Sequence, residues 1–121
     1  MKKISEMNSY EFADYREVNF PSINHFYTEC GRGWFKLLIP IFEYINKYNE
    51  SRLINFEKIQ VLQIKEKFGT LRFYTSFITD ELDSLIRIAM KKSKNTCEIC
   101  GKRGKLVELN GWWSARCKGC R

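Results

Sequence analysis

The placement of four cysteines near the C-terminus constrains this chain more than any other feature. Cys97 and Cys100 form one C-x2-C pair, Cys117 and Cys120 a second, and sixteen residues separate the pairs. That spacing is the one expected of a four-cysteine zinc site. Two thiolates three positions apart on a tight turn grip one edge of a metal ion, and a hairpin brings two such turns together into a closed tetrahedral site. Gly101 and Gly119 supply the turns with backbone freedom. A tail this short cannot hold itself folded by its own core, so ligation is expected to fold it. Four protein ligands leave no open position for water, which makes the expected Zn²⁺ structural, one per chain. Two other readings use the same cysteines: a pair of disulfides, or a redox C-x-x-C. Disulfides fit a reducing compartment poorly, and a redox pair would open a helix in a βαβ setting that the pattern lacks. Cys30 stands outside the array and reads as a core cysteine.

Charge changes at the same place along the chain. The protein has 121 residues and a net charge of +7. Residues 1–90 hold 12 basic and 12 acidic groups, whereas residues 91–121 hold nine basic groups against Glu98 and Glu108. The whole excess therefore lies in the tail, and the division falls between a body at residues 1–95 and a zinc ribbon at residues 96–121. At 44% hydrophobic and 15% aromatic the composition excludes wholesale disorder and collagen-like repeats. Glu6, Glu11 and Asp14 interrupt the stretch where a signal peptide needs its apolar run, and the richest apolar segment, Leu37 to Phe42, falls far short of the ~20 residues of a membrane span. The expectation is a cytoplasmic protein with no membrane partner.

The body reads as a small α+β unit. Residues 1–30 are rich in aromatics and suggest short helices broken at Pro21. After the break at Gly31-Arg32-Gly33, Phe35, Leu38, Ile41, Phe42, Ile45 and Tyr48 recur at helical spacing. Pro40 requires that this helix begin near Leu37 or bend. Residues 57–77 read as a β-hairpin turning at Lys67-Phe68-Gly69-Thr70. Pairing Glu66 with Leu71 sets Ile64 against Phe73 and Leu62 against Thr75, and collects Leu62, Ile64, Leu71 and Phe73 on a core face. The turn is awkward, because tight hairpin turns want a positive φ that Phe68 resists. From Asp80 to Ser93 a helix follows, capped by Thr79 or Asp80, with acids in its first turn and lysines at its end, as the helix dipole favours.

Two surfaces are candidates for binding. The first is the tail, where Lys102, Arg103, Lys105, Arg116 and Lys118 interleave with Trp112 and Trp113. Adjacent strand residues point to opposite faces, so one tryptophan can pack on the body while the other stacks on a base or a partner's ring. The alternative is that the charges only solubilise the ribbon and both tryptophans are packing residues. The second surface is the outer face of the hairpin, with Gln63, Lys65, Arg72 and Tyr74. Lys65 and Arg72 sit opposite each other, an unfavourable pair unless a phosphate or carboxylate lies over them. The alternative is a solvated face relieved by Glu57 or another carboxylate of the body. The lone His25 has no catalytic context, and no phosphate-binding loop, nucleophile elbow or zinc-protease motif occurs, so the chain reads as non-enzymatic.

The string Gln63-Ile64-Lys65-Glu66-Lys67-Phe68-Gly69-Thr70-Leu71-Arg72-Phe73-Tyr74, with Cys97-Glu98-Ile99-Cys100-Gly101 and Gly111-Trp112…Cys117-x-x-Cys120, resembles a family of small, mostly uncharacterised bacterial and phage proteins. Gly33-Trp34-Phe35 fits as well, and the resemblance covers about residues 31–120. It implies a zinc-ribbon tail and a phage or mobile-element origin, and it carries over no catalytic residue. Two functions are expected on these grounds. In the first, the basic ribbon docks on nucleic acid. In the second, a phage-type effector binds an acidic host protein, such as a defence-system component, or sequesters a nucleotide through the ribbon and hairpin surface.

Overall fold

The computed structural model describes residues 2–121 and shows an α+β protein. Its elements are α1 (Ser9–Asn19), β1 (Thr28–Glu29), α2 (Phe35–Glu50), β2 (Val61–Lys67), β3 (Thr70–Thr75), α3 (Asp80–Ser93), β4 (Lys105–Leu109) and β5 (Trp112–Arg116). The order in the first sheet is β1-β2-β3, with β1 parallel to β2, and β4 and β5 form a separate antiparallel ribbon.

Helix α1 starts on a capping box. The Asn8 side chain accepts the Glu11 N–H (2.9 Å), and Glu11 accepts the Asn8 N–H (3.0 Å). The helix stops before Pro21, and the aromatics around it close over α2. Phe42 is their hub: its ring lies 5.6 Å from Phe26, 5.8 Å from Phe20, 6.2 Å from Phe12 and 6.1 Å from Phe73. Met7, Phe12, Phe20 and Phe26 are thus part of the core. Arg16 is buried among them, its guanidinium 3.9 Å from the Phe26 ring centre.

Helix α2 begins at Phe35 and not near Leu37, running directly from a 3₁₀ turn at Arg32–Trp34. Pro40 is exposed within it; the only backbone bond its ring must remove is the one to the Lys36 carbonyl. Phe35, Leu38, Ile41, Phe42 and Ile45 are fully buried, as the spacing predicts.

The hairpin pairs Glu66 with Leu71, Ile64 with Phe73 and Lys65 with Arg72, in the expected register. At its open end the expectation fails. A bulge between Val61 and Gln63 sets Val61 opposite Thr75, so Val61 is buried and Leu62 is 62% exposed. Phe68 does adopt the positive φ (53°), followed by Gly69 (80°), and the Gly69 N–H donates to Glu66 Oε2 (2.6 Å). Helix α3 has the expected limits, and Thr79 caps it by accepting the Leu82 N–H (3.1 Å). Among the described residues no helix is long and apolar enough to cross a membrane.

Candidate metal centre and basic groove

The four cysteine sulfurs lie within 4.8 Å of one another, and Cys100 Sγ is 3.5 Å from Cys117 Sγ. All are free thiols, so neither disulfide pairing is present. Tetrahedral ligation with metal–sulfur bonds of about 2.3 Å places sulfurs about 3.8 Å apart, and the cluster has that size. The donor set could hold one metal ion.

Local backbone geometry builds each half of the site. The Cys97 N–H donates to the Lys102 carbonyl (2.8 Å) and the Gly101 N–H to the Cys97 carbonyl (2.9 Å), closing the first turn with Gly101 at φ 81°. The second turn is a 3₁₀ segment at Lys118–Cys120, and Gly119 keeps an ordinary negative φ there, so its expected special freedom is not used. Burial pushes the Cys97 thiol up, but backbone N–H groups of Cys117, Cys100 and Ile99 outweigh it and bring it down to about 6. Cys120 is pushed up to about 12, chiefly by the neighbouring Cys117. Four thiolates this close would repel one another, and a divalent cation would relieve that repulsion. Cys30 stays apart: burial, with the charge of Glu98 behind it, raises its thiol to about 12.

The turn at Gly31-Arg32-Gly33-Trp34 receives the first cysteine turn. The Gly33 N–H donates to the Glu98 carbonyl (2.8 Å), the Gly31 N–H to Glu98 Oε2 (2.8 Å), and the buried Trp34 indole N–H to the Thr96 carbonyl (2.8 Å). Lys36 Nζ reaches the Gly101 carbonyl at 2.5 Å. On the other side, Ala115 is part of the hydrophobic core and Leu106 packs against it. This docking was not visible as such in the sequence, where the two glycines read only as a break.

The candidate binding residues separate into three places. Lys102, Arg103, Lys105 and Lys118 come together, with Arg121 and Asn95, around a 710 Å³ groove beside Cys117. Asn95 also lines an adjoining depression with Lys91 and Lys92, so the basic surface continues onto the end of α3. Arg121 was missed as a site residue; its signal was its position directly after the last cysteine. Arg116 leaves this group, with Nη1 3.7 Å from Glu98 Oε1. Trp112 and Trp113 lie at the opposite end of the ribbon, about 13 Å along its strands, since Lys105 pairs with Arg116 but Leu109 with Trp112. They do point to opposite faces: Trp113 shares the side of Ala115 and is 48% exposed, while Trp112 is 75% exposed. Lys65, Arg72 and Tyr74 stand on the hairpin, and Arg72 Nε is buried with no hydrogen-bond partner.

Comparison with protein-family models, curated proteins and solved structures found no match for this chain.

Proposed function

We propose that this is a non-enzymatic, zinc-stabilised binding protein whose basic ribbon docks on nucleic acid. The observation that carries this reading is the groove beside the metal cluster. Five cationic side chains line it and no acidic side chain does, and none of the five is in an ion pair among the described residues. A row of unpaired cations in a concave surface matches a phosphate backbone, whose counterions are released on binding. The zinc serves by holding the two turns that present Lys102, Arg103 and Lys118. No tryptophan lines this groove, so the reading rests on phosphate contacts and predicts weak sequence preference.

The test is the salt dependence of binding to single- and double-stranded DNA and RNA, followed by fluorescence anisotropy. Affinity should fall steeply with salt, and each of Lys102→Ala, Arg103→Ala and Lys118→Ala should reduce the slope of log K against log salt by about one. Absence of binding to all four polymers at moderate salt ends the reading. Elemental analysis should find one zinc per chain.

The orphaned Arg72 Nε favours a second reading. Glu29 is the carboxylate in register with Lys65, yet no ion pair forms within 4.0 Å of Lys65 or Arg72 among the described residues. In an effector of the bacterial and phage kind that the motif resembles, an acidic side chain of a host protein or a nucleotide phosphate would complete this pair. A host protein that co-purifies with the chain and is lost on Arg72→Ala would favour it over the nucleic-acid reading.

A further inference from the structure

The end of the ribbon away from the basic groove forms a different kind of cavity. Phe68 at the hairpin turn and Trp112 and Trp113 at the ribbon tip border a 610 Å³ cleft, and Glu66, Glu98 and Lys67 line it with them. We infer that this cleft receives the guanidinium of an arginine presented by a basic segment of a partner protein.

Three observations carry the inference. First, the two carboxylates are held in place by the backbone. Glu66 Oε2 accepts the Gly69 N–H (2.6 Å) and Glu98 Oε2 the Gly31 N–H (2.8 Å). The second oxygen of Glu66 has no partner among the described residues, and that of Glu98 has only Arg116 at 3.7 Å. Second, Phe68 is kept at φ 53°, a conformation costly for a bulky side chain, while 65% of it remains exposed. Core packing therefore does not account for the ring, and strain held without burial marks a site that uses the side chain. Third, the chemistry is complementary to one kind of group. Aromatic faces attract cations, and carboxylates repel phosphates, so the tryptophans here are poorly placed for a nucleotide and well placed for a cation with an apolar stem. Flat walls and two carboxylates suit a planar guanidinium better than a compact ammonium. The chain's own Lys67, 5.6 Å from the Phe68 ring centre, stands at this ring already and would be the cation displaced.

The inference does not depend on nucleic-acid binding. Its test is titration of the metal-loaded full chain with a blocked Gly-Arg-Gly peptide and its citrulline counterpart, which keeps the shape and loses the charge. The indole N–H resonances of Trp112 and Trp113 report binding. The arginine peptide should shift them saturably and the citrulline peptide should not. Glu66→Gln and Phe68→Gly should each weaken binding about tenfold. Phe68→Gly places the residue that the turn geometry prefers, so the chain stays folded, with an unmoved Trp34 indole signal as the control. The inference is overturned if millimolar arginine peptide causes no shift, if citrulline binds equally, or if neither substitution matters. Movement of these indoles by oligonucleotide in place of the peptide also overturns it.

Discussion

At Gly33 the space for a side chain is already taken. A Cβ there would lie 2.1 Å from the Cys97 carbonyl oxygen and 2.6 Å from the Gly101 nitrogen. Both atoms belong to the first cysteine turn, and both are backbone, so neither can swing aside. Gly33→Ala must push the ribbon off the body or distort the turn that carries two of the four clustered cysteines. We expect a loss of about 2–3 kcal/mol in stability, measured by thermal or denaturant unfolding, together with weaker zinc retention against a chelator. Gly119 is the internal control. It also sits within the cluster, but the nearest atom to its Cβ would be Cys117 Sγ at 4.0 Å, an ordinary contact. Gly119→Ala should change stability by less than about 0.5 kcal/mol. Equal effects at the two glycines would show that close approach is not what Gly33 provides. A glycine next to a tryptophan looks the same in a sequence whether it ends an element or admits another chain segment. Only the partner at residues 97–101, more than sixty positions away, tells the two apart.

The elements divide by how locally they are specified. Helix α3 carries its cap, its dipole-matched charges and its apolar stripe within one run of sequence, and the structure reproduces its limits. The hairpin register was legible for the same reason near its turn, and it failed at Leu62, where a bulge that no local pattern announces moves Val61 into the core. Strand β1 was not legible. It is two residues long and pairs with β2 across an interval that periodicity does not span. The sorting of the cations from the tryptophans was hidden likewise, because it depends on which end of the ribbon meets the body. Asn49, on the last turn of α2, is another long-range device. It is buried, accepts the Ile59 N–H (2.8 Å), and donates to the Ile59 and Ser22 carbonyls (3.0 Å each). One amide therefore ties α2 to the approach to β2 and to the loop after α1. Asn49→Ala leaves buried backbone groups without partners and should cost about 3 kcal/mol. Its denaturant midpoint should fall with little change in the zinc content, since the residue lies far along α2 from the cysteine turns.

In the whole molecule, the charge excess and the cysteine cluster fall on the same segment. The body is neutral and the tail carries the full +7 of the chain. Four thiolates with one Zn²⁺ would subtract two charges, and seven of the nine tail cations line the groove or the depression beside it. The ribbon is at the same time a wall of the body: Trp34 donates to Thr96, one residue before Cys97, and Ala115 is part of the core. Ligation of a structural zinc typically supplies about 10–16 kcal/mol of folding free energy at neutral pH. Its loss should therefore do more than loosen a tail. Among the three tryptophans only Trp34 is fully buried, so a Trp112→Phe/Trp113→Phe variant isolates its emission. Chelation should move that emission to longer wavelength as the indole meets water, and should lower the midpoint of body unfolding in the same titration. The ordering matters for the proposed docking on nucleic acid, because Lys91 and Lys92 on α3 adjoin the ribbon cations through Asn95 and would form one surface with them only while the ribbon is docked. If chelation releases zinc but leaves the Trp34 emission and the unfolding midpoint unchanged, the ribbon is an independent unit, and the continuous basic surface is not a property of the folded body.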